Sequence, residues 1–336
     1  MRQTHRLDPS AARASRRGRN VLSLFSLAVT VLLAACGSNP VATGRAAQGG
    51  GFYVDPYSNP AIWVRNNPGD PRMSRIDSAI ASQPMARWFG NWSGDIGQAV
   101  GSFVDAASAA GQMPILVAYN IPGRDCGSHS GGGAGSPEAY RAWISAFAAA
   151  IGDRPAVVVI EPDALAQLDC LDPNLRATRI ELLRYAASEF KQRAAKAQAY
   201  HDGGNANWIA ADEMARRLNS ADVGAIQGFS VNVSNYYRTD ESERYGANVS
   251  GQLQSQFGYG KAFVVDTSRN GNGSNGEWCN PAGRKLGETS REGSGGAQML
   301  LWLKVPGDSD GQCGIAPGTP AGVFSPEIAE RLIDGR

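Results

Sequence analysis

From residue 51 onward, short apolar or β-branched runs alternate with stretches in which apolar positions recur at helical spacing. Strands are predicted at 51–54, 86–90, 113–119, 156–160, 196–200, 225–231, 261–265 and 299–303. Helices are predicted at 74–82, 95–110, 137–151, 174–193, 208–219, 241–257 and 326–333. In the clearest helix, 174–193, Leu175, Leu182, Leu183, Ala186, Ala187 and Phe190 share a face, and Asp172-Pro173 supplies a start signal. Strands alternating with helices imply βαβ units and a mainly parallel sheet of the α/β class. About eight such units suit a closed or nearly closed barrel better than an open doubly wound sheet. The first strand runs into Asp55-Pro56-Tyr57 and not into a glycine-rich fingerprint, so no nucleotide cofactor is expected.

The first 50 residues read differently. Six arginines precede an apolar stretch, 21–35, which is too short to span a bilayer and the right length for a signal-peptide core. It ends in Leu33-Ala34-Ala35-Cys36, which resembles the lipobox of bacterial lipoproteins. The expectation is a signal peptide at 1–35, lipidation of Cys36, a flexible tether at 36–50 and a catalytic domain at 51–336, on an exported protein anchored to the membrane or secreted. Arg16-Arg17 leaves twin-arginine and general export both open.

Removing that leader changes the charge. The whole chain carries +1; without residues 1–35 it holds 26 basic and 30 acidic side chains, a net of −4. No basic excess remains to bind nucleic acid. Only His129 and His201 are left of three histidines, which excludes multi-histidine zinc sites, and no G-x-S-x-G is present. No metal or cofactor is expected, and chemistry falls to carboxylates. Cys126, Cys170, Cys279 and Cys313 allow two disulfides in three pairings, of which neighbour pairing closes the shortest non-overlapping loops.

Nearly every predicted strand ends in polar or aromatic residues, at the end where barrel enzymes assemble their sites. Carboxylates and aromatics together suit a carbohydrate: rings stack on sugar faces, and carboxylates hold hydroxyls. After the apolar strand 156–160 come Glu161-Pro162-Asp163. A carboxyl at the lip of an apolar strand loses solvation and stays protonated, as a general acid requires. The plainer alternative makes Asp163 the cap of a following helix. Asp125, beside Cys126, sits in a glycine-rich loop without the G-K-[ST] ending of a phosphate site. A bridge from Cys126 to Cys170 would bring Asp125 near Asp163. Asp308 and Asp310 lack the spacing of a calcium loop and, with Lys304, read as an ion-pair network in which one carboxylate is free to act as base.

Taken in order, Gly51-Phe52-Tyr53-Val54-Asp55-Pro56, Tyr119 with Arg124-Asp125-Cys126-Gly127, Val159-Ile160-Glu161-Pro162-Asp163-Ala164-Leu165, Val265-Asp266-Thr267-Ser268-Arg269-Asn270-Gly271, Glu277-Trp278-Cys279 and Leu303-Lys304 with Pro306-Gly307 and Asp310-Gly311 resemble glycoside hydrolase family 6, cellulases that cut β-1,4-glucan with inversion. The resemblance spans 51–336. It implies a distorted, incomplete parallel β/α barrel, similar to a TIM barrel, with one predicted strand outside the ring. It makes Asp163 the general acid, Asp125 the neighbour that tunes it, Asp310 the candidate base, with Ser130 in a water chain, and Tyr119 the group pressing on the sugar at the cleavage point. Trp92, Asp202, Trp208, Asn232, Arg269, Trp278, Lys304 and Asp308 would bind glucosyl units. Two positions depart from the family pattern: Asn205 replaces a His, and Asp308 replaces a Glu.

Compact segments between the paired cysteines favour an open cleft and internal cleavage by a monomer acting on amorphous or soluble β-glucan. The alternatives are cellobiohydrolase-type exo cleavage and a glucan-binding surface lipoprotein without catalysis.

Overall fold

The computed structural model describes residues 50–126, 130–293 and 295–336. The expected signal peptide, Cys36, most of the tether and His129 lie outside these residues. Among the described residues no helix is long and apolar enough to cross a membrane.

Eight strands form one curled sheet: β1 (Arg87–Phe89), β2 (Ile115–Ala118), β3 (Ala156–Ile160), β4 (Ala197–Asp202), β5 (Gly228–Val231), β6 (Ala262–Asp266), β7 (Arg291–Glu292) and β8 (Met299–Leu301). Their order is β1-β2-β3-β4-β5-β6-β8-β7, parallel throughout except for β7 against β8. Seven of the predicted strands recur in these positions. The run at 51–54 does not: it makes only a bridge between Phe52 and Met113, because Asp55-Pro56 turns the chain away. The two-residue β7 was not predicted. At the open seam β1 and β8 share no ladder. There the Ala86 N–H donates to the Trp302 carbonyl (2.8 Å), and the Trp88 indole N–H donates to the Leu303 carbonyl (2.7 Å). The result is a distorted, incomplete parallel barrel.

The strands alternate faces as the pleat demands. Ile115, Val117, Val157, Val159, Val264 and Leu301 fill the barrel interior. Leu116, Val158, Ile160, Phe229 and Val265 point outward into a larger core with the helices. The helices are α1 (Asn59–Asn66), α2 (Met73–Ile76, continued by a π turn at Asp77–Ala81), α3 (Ile96–Ala109), α4 (Pro137–Ile151), α5 (Pro173–Arg193), α6 (Ala211–Ser220), α7 (Thr239–Phe257) and α8 (Pro326–Asp334). Asp172 caps α5 by accepting from the N–H groups of Asn174 and Leu175, and Pro173 occupies its first turn. Leu182, Leu183, Ala186, Ala187 and Phe190 are buried, but Leu175 stays 54% exposed, so the buried face begins a turn later than the spacing predicted. Helix α1 was missed, although Ser58 caps it at a Ser-Asn-Pro start.

Both expected cysteine pairs are formed, Cys126 with Cys170 and Cys279 with Cys313. They close spans of 44 and 34 residues. By unfolded-chain entropy each contributes about 4 kcal/mol.

Candidate active site

The carboxyl ends of the central strands carry backbone strain. Glu161 (φ 51°) and Asp163 (φ 68°) follow β3, Asn232 (φ 68°) and Ser234 (φ 56°) follow β5, and Asp125 (φ 56°) lies in the loop after β2. Each non-glycine residue in this left-handed region costs about 1–3 kcal/mol, and such residues cluster where function positions a side chain. Pro162 sits between two of them and turns Asp163 toward a cleft of about 990 Å³ at the strand ends. The plainer role is not taken up. The short helix after it, Ala166–Cys170, begins at Leu165 and has no side-chain cap.

The Asp163 backbone N–H donates to Oδ2 of Asp202 (2.9 Å). Asp202, wholly buried at the end of β4, also accepts from the Gly204 N–H (3.2 Å) and the Ser230 hydroxyl (3.1 Å). Burial raises both acids; the charge of Asp202 raises Asp163 further, and the charge of Asp266 raises Asp202. The three donors on Asp202 favour its ionised form, so the shared proton resides on Asp163. Asp125 adds a smaller push in the same direction. Asp163 keeps part of its surface open to the cleft although protein surrounds it, and this opening makes a protonated carboxyl available to a ligand.

A hydrogen-bond chain runs beside it. Oδ2 of Asp125 accepts from the Ser130 N–H (2.6 Å) and the Ser130 hydroxyl (2.9 Å). The Ser130 oxygen lies 3.0 Å from the Tyr119 hydroxyl, and with its own proton committed to Asp125 it accepts from Tyr119. Burial, then the charge of Asp163, raises the Tyr119 hydroxyl and keeps it a donor. The Arg124 guanidinium packs over the rings of Tyr119 and Trp92 and donates to the Tyr119 and Ser130 carbonyls. Cys126, next to Asp125, ties this loop to the segment after Asp163.

Asp310 is held in the opposite charge state. Burial alone would raise it, but Arg269 and Lys304 hold it at about 2. Arg269 donates Nη1 to both carboxylate oxygens (3.0 and 2.9 Å), and Lys304 Nζ stands 3.2 Å from Oδ1. The Tyr236 hydroxyl (3.0 Å) and the Asn280 N–H (3.1 Å) donate to Oδ2. Asn280 follows Cys279, so the second disulfide braces Asp310 as the first braces Asp125. Asp308, buried nearby, is raised to about 7 by burial despite Lys304. Its Oδ2 accepts from the Asn59 amide (2.8 Å), and its Oδ1 has no hydrogen-bond partner among the described residues.

The cleft brings together Trp92, Tyr119, Asp125, Ser130, Asp163, Trp208, Trp278, Lys304, Asp308 and Asp310, all expected from the sequence. Asn205, which like Asp308 departs from the family pattern, also lines it. Trp92, Trp208 and Trp278 are 56%, 43% and 49% exposed, flat apolar surfaces reached directly from solvent. Three of the expected sugar contacts are placed behind the cleft lining and not on it. Asp202, Asn232 and Arg269 are fully buried, and their polar atoms serve the protein. Asn232 bridges the Tyr237 and Asp266 carbonyls, Arg269 holds Asp310 and the Ser234 carbonyl, and Asp202 holds Asp163. They support the cleft from behind. Arg124, Tyr236 and Asn280 were not assigned roles from sequence. Arg124 adjoins Asp125, a signal that could have found it; Tyr236 and Asn280 reach Asp310 only through the fold.

Residues 47–336 match the model of the glycosyl hydrolases family 6. Endoglucanase 1 of Streptomyces halstedii is 52% identical over 286 residues, covering 85% of this chain and 89% of its own length. Endoglucanase A of Thermobispora bispora is 41% identical, covering 91% of this chain and 68% of its own. The endoglucanase Cel6 of Mycobacterium tuberculosis, solved with a methyl-cellobiosyl-4-deoxy-4-thio-β-D-cellobioside, superposes with a TM-score of 0.79 at 41% identity, covering 86% of this chain and 98% of that one. A carboxylate cleft at the strand ends of an incomplete parallel barrel, matched along its length by these relatives, establishes that the chain belongs to glycosyl hydrolase family 6 and is a glycoside hydrolase.

Proposed function

We propose that the protein hydrolyses internal β-1,4-glucosidic bonds of cellulose or a related β-glucan with inversion, and that Asp163 is its general acid. What carries this reading is the placement of the Asp163 carboxyl at the cleft, with burial and the charge of Asp202 both raising its pKa and so favouring its protonated form. Asp163 gives its proton to the glycosidic oxygen as the bond from that oxygen to the anomeric carbon breaks. Water forms the new bond to that carbon from the opposite face and loses a proton toward Asp310. Both Asp310 oxygens already accept hydrogen bonds, which favours relay of that proton through solvent over direct contact. Ser130 and Asp125 hold the water, and Tyr119 presses on the ring. Such a displacement needs room for the water, with acid and base carboxyls roughly 6.5–9.5 Å apart.

Internal cleavage is supported by the solvent-reached tryptophans, which leave the glucan's entry unroofed at those positions, and by the names of the two endoglucanase relatives. Export with lipid on Cys36 would put this activity at the cell envelope. The test is incubation with carboxymethylcellulose beside Asp163→Ala. A fast fall in viscosity with few reducing ends supports internal cleavage, and a slow fall with abundant disaccharide replaces it with exo action. No activity in the unaltered protein leaves a glucan-binding protein.

A further inference from the structure

We propose that a single chloride ion binds behind Asp310, in a cavity lined by Arg269, Arg284, Arg331 and Arg336. The cavity is about 10 Å³, room for one particle of about the size of water. Four guanidinium-bearing side chains line it, together with Tyr236, Asn280 and apolar surface that includes Ile315 and Leu332.

The positive charge there is not matched by acids. Arg336 is paired with Asp334 (2.7 Å) and Glu330 (3.6 Å), and Arg269 with Asp310. Arg284 donates only to the Gly273 and Ala282 carbonyls, and among the described residues Arg331 makes no side-chain hydrogen bond or ion pair. The other acids of α8 are engaged elsewhere: Glu327 holds Arg72, while Glu330 and Asp334 also hold Arg75. Arg284 and Arg331, both half-buried, therefore have no acid partner among the described residues at a cavity with apolar walls.

A second, independent observation points the same way. Arg269 lines the cavity, and its Nε is buried and has no hydrogen-bond partner among the described residues, on a side chain whose other two nitrogens are both satisfied. A buried charged donor left unpaired has lost its solvation without replacement. A chloride answers both the missing acceptor and the missing charge, whereas water answers only the first. Its presence would weaken the positive field that Arg269 exerts on Asp310 and so raise the proton affinity of that carboxylate. The binding itself does not depend on the reaction proposed above.

The test is a crystal grown without halide, soaked in sodium bromide and measured at the bromine absorption edge. It is paired with thermal denaturation in sodium chloride against sodium gluconate at constant ionic strength, for the unaltered protein and Arg331→Gln. The expected result is one anomalous peak in the cavity. Chloride at ten times its Kd then raises Tm by about 2 °C in the unaltered protein. Arg331→Gln loses that increment and keeps its hydrolysis of carboxymethylcellulose in gluconate. A cavity holding density without bromine signal, which is water, overturns the proposal, as does an equal chloride response in both proteins. The bromine peak needs no variant and decides the matter alone if Arg331→Gln fails to fold.

Discussion

The backbone N–H of Asp163 donates to the carboxylate of Asp202 at 2.9 Å, so one acid both fixes the position of the other and opposes its ionisation. Asp202→Asn keeps an acceptor for that N–H and removes the charge. Activity requires the protonated Asp163 and is lost as pH rises through its raised pKa. The basic limb of the kcat/KM profile of Asp202→Asn should move toward acid by about 1 unit. A profile unchanged in that limb would detach Asp202 from the tuning of Asp163.

Asp163→Asn separates catalysis from stability. Hydrolysis should fall at least about 10³-fold with loss of the acid. Stability should move the other way. Asp163 has a higher pKa folded than unfolded, so it costs folding free energy above its unfolded value near 3.8, increasingly until pH passes its folded value. An amide bears no such cost, and Asn, like Asp, tolerates a φ of 68°. Tm of the variant should equal or fall below that of the unaltered protein near pH 3 and exceed it at pH 7 and above. Equal values at both pH would contradict the protonated reading.

Asp310→Asn should have the opposite signature. Asp310 is held at about 2, so its pairing with Arg269 stabilises fully above the unfolded value and is lost as pH falls through about 2. Removing the charge leaves Arg269 buried without a counter-ion, at a cost of about 3–5 kcal/mol at pH 7. Chemical denaturation of the two proteins at pH 7 measures it. A loss under about 1 kcal/mol would show that the pair adds little net stability.

Much of this arrangement was legible in the sequence because strands buried on both faces write continuous apolar runs. AVVVIEPD gave away β3 and the turn that aims Asp163, and paired cysteines pointed to both bridges. What was not legible depends on distance in space. Asp202, Asn232 and Arg269 read as sugar ligands because polar residues at strand ends look alike in one dimension. Only the packing shows that Asp202 lies under Asp163 and Arg269 under Asp310. Strand β7 is two residues, one half-buried and one exposed, which carry no period, and the run at 51–54 has the composition of a strand without a continuous partner.

Ser130→Ala breaks the Tyr119-Ser130-Asp125 chain without touching the tryptophan platforms. It should lower kcat by about ten-fold or more and leave KM for a soluble cello-oligosaccharide within about two-fold, since a group that places water acts in the transition state. A rise in KM at constant kcat would instead make Ser130 a sugar contact.

The most direct measurement of the central claim is the anomer released, read by proton NMR from a soluble cello-oligosaccharide in the first minutes, before mutarotation. Displacement by water opposite Asp163 predicts that the new reducing end appears as the α-anomer. A β-anomer appearing first would contradict it.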